Sequence, residues 1–204
     1  MKFLLALSRF IDAANTRVGR AVYWLVLASV LVSAINALFR YTFNMSSNAW
    51  LEIQWYLFSA VFMLCAGYTL LHNEHIRIDV VYGRFSRRTQ IWIDLFGTVF
   101  FLLPMALIIM KLSWPMFLDA YTRGEISGDA GGLIRWPVKI LIPVGFLLLA
   151  LQGVSELIKR VAYLRGLSPD PAEKPEDPAI ELARELARQV GAQGTGADSP
   201  KGTA

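Results

Sequence analysis

Four uncharged apolar runs dominate the chain, at 21–39, 53–71, 95–110 and 140–155. None of them alternates apolar with polar positions, as the strands of a membrane barrel do. A helix needs roughly 20 apolar residues to cross a ~30 Å hydrocarbon layer. Extended by their flanks, the runs predict spans near 21–40, 50–71, 90–111 and 138–158. Lipid offers the backbone no hydrogen-bond partner, so such continuous runs must be helical. The expected fold class is an all-α integral membrane protein with four transmembrane helices, in a domain covering 1–165.

The segments between the runs refine this picture. Phe3, Leu4, Leu7, Phe10, Ile11 and Ala14 recur at helical spacing, which predicts a short amphipathic N-terminal helix lying in the membrane interface. The stretch 112–137 is expected to be a long connection, with Gly124, Gly128, Gly131 and Gly132 permitting turns and Trp136-Pro137 opening the last helix. Pro104 falls mid-span and is expected to kink the third helix, whereas Pro143 is expected to disturb the fourth less. Beyond 165 the sequence is rich in proline, glycine, alanine and charge, so 166–204 is expected to be a disordered tail. The first apolar run after Lys2 is too short for the core of a cleavable signal peptide.

Composition agrees with a membrane protein: 55% of residues are hydrophobic and mean hydropathy is +0.44. The net charge of +4 matters through its placement. Lys2, Arg9, Arg17, Arg20, Arg77, Arg84, Arg87, Arg88, Lys159, Arg160 and Arg165 flank one side of the spans. Only Arg40, Lys111, Arg123, Arg135 and Lys139 flank the other. By the positive-inside rule both termini, the tail included, are expected in the cytoplasm. The basic balance therefore addresses topology and membrane lipid headgroups, not nucleic acid. The single cysteine, Cys65, lies within the second run, where it reads as a small core residue.

Candidate chemistry is sparse. His72 and His75 stand three apart with Glu74 between them, whereas a helical zinc site of the H-E-x-x-H type needs a spacing of four. Two histidines without further ligands make neither a structural nor a catalytic zinc centre. Beyond them Arg77 and Asp79 alternate with Ile76, Ile78 and Val80. Glu52, Asp94, Lys139 and Glu156 all fall near the ends of their spans, within reach of an interface or of a neighbour. The middle positions, 29–31, 61–62, 100–101 and 147–148, carry no ionisable residue. A secondary transporter that works alone usually binds substrate and ions at that depth. There is no phosphate-binding loop for ATP and no serine–histidine–acid arrangement, so no enzyme activity and no cofactor is expected. Ser33, Asn36, Gln54, Ser59 and Gln152 are placed to hydrogen-bond across helices, within the bundle or to another subunit. The residues alone describe a scaffold; they leave open a small exporter working as a homo-oligomer, or a membrane anchor without a transport role.

Several phrases in order sharpen that description. R-Y-x-F-N at 40–44 is followed by Glu52, H-I-R-I-D-V at 75–80, F-S-R-R at 85–88, Asp94-Leu95 and P-x-K-x-L-I-P at 137–143. Together they resemble the small membrane subunit, DctQ-like, of tripartite ATP-independent periplasmic (TRAP) transporters. The resemblance implies a bacterial inner-membrane complex importing organic acids. In it a large permease subunit carries substrate and sodium, a periplasmic substrate-binding protein delivers substrate, and this chain braces the permease. It further implies that Arg40, Glu52 and the 112–137 connection face the binding protein's side. His75, Arg77, Asp79 and Asp94 would fix the hairpin between the second and third spans, and Lys139 belongs to the motif that opens the fourth. The tail lies outside the resemblance.

Overall fold

The computed structural model describes residues 1–44, 47–72 and 84–167. The expectations for His75, Arg77, Asp79 and the tail beyond 167 lie outside the described residues. Among the described residues four helices are long and apolar enough to cross a membrane: α1 (Lys2–Phe43), α2 (Asn48–Leu71), α3 (Arg87–Thr122) and α4 (Trp136–Leu164). No extended strand occurs among the described residues; a single antiparallel bridge joins Ile126 to Ile134.

Helix α1 differs from expectation. Residues 3–14 are helical, but no break separates them from the span, and all 42 residues of Lys2–Phe43 form one helix. At ~1.5 Å per residue it is about 63 Å long, twice the hydrocarbon thickness. The physical reason lies in which face is buried. Ser8, Ile11, Asn15, Gly19 and Val22 recur every three or four residues and point into the bundle. Phe3, Leu4, Leu7 and Phe10 are exposed. The N-terminal turns are thus held by packing into the bundle, and the helix runs without a break through residue 20. It ends at Asn44 in the left-handed conformation (φ 53°), which asparagine tolerates better than most side chains.

Helix α3 begins at an N-cap, where the Ser86 hydroxyl accepts the Thr89 N–H. It then passes through a π-turn at Thr98–Leu102, closed by the Leu103 N–H on the Thr98 carbonyl. Pro104 follows at once. A proline ring crowds the carbonyl four residues earlier, and a widened turn makes room for it. The helix continues to Thr122 through Pro115, so the connection to α4 is 123–135, shorter than the expected 112–137. In α4 the turn around Ile140 (φ −67°, ψ −23°) stays right-handed helical where Pro143 lacks an N–H for the Lys139 carbonyl.

Helix α4 lies at the centre and packs against each of the other three, while α3 packs chiefly on α4. Small residues bring the axes together. A Cβ added at Gly145 of α4 would stand 2.6 Å from the Met63 carbonyl of α2. One added at Gly67 would stand 2.3 Å from Asn15 Oδ1 of α1. Close approach through small residues is how helices associate where lipid removes the hydrophobic drive. The interior is rich in small and polar residues (Ser8, Asn15, Ala106, Ala150, Gln152, Ser155) beside Ile11, Val22, Ile91 and Phe117, whereas Phe58, Phe62, Phe100, Phe101 and Ile108 are exposed.

Candidate functional site: polar clamps at the two ends of the bundle

The ionisable residues that pair across elements collect in two groups near opposite ends of α4. Lys139 and Glu156 are 17 residues apart, or about 26 Å along a helix.

At the Lys139 end, Asn48, Glu52 and Tyr56 recur every four residues and so share one face of α2. All three grip the 123–135 connection. Asn48 Nδ2 donates to the Ala130 carbonyl at 3.2 Å. Glu52 Oε2 accepts the Leu133 N–H at 2.6 Å. The Tyr56 hydroxyl donates to the Ile134 carbonyl at 3.2 Å. The connection is itself a small hairpin, with the Ser127 N–H on the Leu133 carbonyl and the Arg135 N–H on the Glu125 carbonyl, both 2.9 Å. Lys139 closes the clamp by an ion pair with Glu125. Glu52 is 9% exposed. Its carboxylate is engaged by the loop backbone.

At the other end α1 and α4 join through a continuous network. Asn15 Nδ2 donates to Gln152 Oε1 at 2.9 Å, and Gln152 Nε2 donates to Asp12 Oδ1 at 2.9 Å. The Ser155 hydroxyl reaches the same Asp12 oxygen at 2.7 Å and lies 2.7 Å from the Ser8 hydroxyl. Lys159 bridges Asp12, at 3.3 Å, and Glu156. Arg160 then links Glu156 at 3.2 Å to Asp94 of α3 at 3.4 Å. Gln152, Ser155 and Glu156 are all but fully buried and Arg160 is 5% exposed. Charges so enclosed persist only when each has a partner. Three carboxylates here face two cations. The network therefore ties three helices together. Among the described residues no group of histidine, cysteine or acidic side chains is arranged to hold a metal ion.

The remaining sequence candidates fall elsewhere. Arg40 is exposed near the end of α1 and makes no ion pair among the described residues. His72 caps α2, its Nδ1 3.0 Å from the Tyr68 carbonyl and its ring against the Tyr68 ring, tilted by 38°. Ser8, Asp12, Asn15, Ser155, Lys159 and Arg160 were not singled out by sequence. The available signal was the spacing of Ser8, Asp12 and Asn15 at four and three, one polar stripe on a helix whose other face is apolar.

No curated protein and no solved structure matches the chain. The family model for tripartite ATP-independent periplasmic transporters, DctQ component, matches residues 9–162. The match takes in both clamps apart from Ser8, and all four helices except the ends of α1 and α4. The chain thus belongs to the DctQ family of TRAP transporters and is a transporter component with four membrane-capable helices.

Proposed function

We propose that this chain is the scaffolding small permease subunit of a complex that imports organic acids on a sodium gradient. The large permease subunit carries substrate and sodium, and a periplasmic substrate-binding protein delivers the carboxylate to the Glu52 end. The chain sits in a bacterial inner membrane with the Asp12 end and both termini in the cytoplasm. The exposed Phe3, Leu4, Leu7 and Phe10 of α1 rest against the headgroup boundary on that side.

The family match carries this reading. The distribution of charge supports the bracing role. Glu52, Asp94 and Glu156, the acids nearest the spans, sit toward their ends and are engaged by partners on neighbouring elements. A carrier needs such groups free at mid-depth. The engagement of Glu52 by the hairpin likewise argues against a self-sufficient exporter built on that carboxylate.

The test is reconstitution of the chain alone, the permease alone, and both together with the binding protein. Sodium-driven uptake of an organic acid is expected only with the full set. Uptake by the isolated chain refutes the scaffold and supports the homo-oligomeric exporter.

A further inference from the structure

A groove runs between α1 and the first half of α2. One hollow of about 500 Å³ is bordered by Ser33, Asn36, Arg40, Leu51 and Gln54. A second, of about 390 Å³, continues it past Ser29, Ala34 and Ala37. Ser29, Ser33, Asn36 and Arg40 follow at spacings of four, three and four, a polar stripe about 16 Å long on a helix that must otherwise face lipid. Among the described residues, none of these four side chains nor Gln54 makes a hydrogen bond or ion pair. Two other amides on the helices behave differently: Asn15 and Gln152 pair with each other.

We propose that this groove seats a transmembrane helix of another polypeptide, one that brings hydrogen-bonding side chains to Asn36 and Gln54 and a carboxylate to Arg40. On the reading above, on which this inference rests, that polypeptide is the large permease subunit. Three observations select this occupant. Acyl chains have no group that can satisfy an amide, and Asn36 lies a turn deeper than Arg40, about 6 Å below any headgroup that Arg40 could reach. Ala34, Ala37 and Ser33 leave room for a second backbone to approach closely. A second copy of this chain is a poor fit. Two-fold pairing brings Arg40 toward Arg40. The acids at that end are also engaged: Glu52 by the Leu133 N–H, Glu125 by Lys139 and Asp119 by Arg123, while Asp129 lies beside Glu52 on the hairpin.

The test uses the full chain carrying Cys65→Ser and co-expressed with the large permease subunit. Single cysteines are introduced at Ala37 in the groove and at Ile108 on the lipid-facing side of α3, and a bifunctional thiol–amine crosslinker is added. The expected result is a chain–permease adduct from Ala37→Cys at least tenfold more abundant than from Ile108→Cys. The double variant Asn36→Leu/Gln54→Leu is expected to insert and keep its thermal transition while co-purifying at least tenfold less permease. A complex that crosslinks only through Ile108, or that survives the double variant unchanged, overturns the inference and leaves the proposed function standing. A chain–chain adduct from Ala37→Cys overturns it in favour of self-association. Arg40-dependent retention of phosphatidylglycerol, in phosphatidylethanolamine–phosphatidylglycerol nanodiscs holding the complex without an Ala37 adduct, overturns it in favour of a lipid. If no complex with a large permease forms at all, the proposed function falls and the inference with it.

Discussion

Replacing Gly145 by alanine sets two effects of opposite sign against each other. Alanine is favoured over glycine within a helix by about 1 kcal/mol. The added Cβ, however, lands 2.6 Å from the Met63 carbonyl oxygen and 3.0 Å from its carbon. Those atoms are backbone, so no rotamer change relieves the overlap. α2 and α4 must part by several tenths of an ångström. A gap of that order forfeits roughly a quarter to a half of each dispersion contact along the seam. Overpacking of a tight interior costs about 1–3 kcal/mol. Because α4 is the helix on which the other three rest, the loss falls on the whole bundle, and the net expectation is destabilisation by about 1–2 kcal/mol. At roughly 2–4 °C per kcal/mol for a chain of this size, the transition should fall by several degrees. The six tryptophans supply the signal for thermal unfolding in detergent by intrinsic fluorescence. Gly97 of α3 is the matched control. It is helical (φ −58°, ψ −42°), and its added Cβ meets nothing within 4 Å. There the propensity gain acts alone, so Gly97→Ala should leave the transition unchanged or raise it. A Gly145→Ala protein as stable as the parent would refute the close α2–α4 contact.

Other predictions address the clamps. Glu52→Ala removes the acceptor of the Leu133 N–H, and tryptic cleavage after Arg123 and Arg135 should accelerate severalfold; an unchanged cleavage rate argues that the hairpin is held by other contacts. Arg160→Ala leaves Glu156 and Asp94 without their shared cation. Removing one partner of a buried pair costs about 3–5 kcal/mol, so its unfolding midpoint should fall more than that of Lys159→Ala, whose ammonium is more exposed. Gln152→Leu strands the buried amide of Asn15 at about 1–3 kcal/mol. Adding Asn15→Leu should then recover part of that loss, and a double variant with simply additive losses would show that the two amides do not interact.

The sequence by itself determined the four spans, because runs of 16 to 19 uncharged apolar residues leave the backbone no alternative to helix in lipid. It placed the charged residues of the spans at their ends, and its ordered motifs carried the DctQ family. Tertiary structure decided which polar groups meet. Asn36, Gln54 and Gln152 are the same kind of side chain in the same kind of apolar context, and periodicity does not tell inward from outward when both lipid and partner helices are apolar. The rotation and register of the helices, fixed where Gly145 and Gly67 let backbones and side chains meet, turned Asn15 and Gln152 toward each other and left Asn36 and Gln54 half-buried along a groove between α1 and α2. The same register stacked Asn48, Glu52 and Tyr56 against a hairpin some eighty residues away in sequence. No local pattern encodes a contact at that separation; it exists only once α2 and α4 lie side by side.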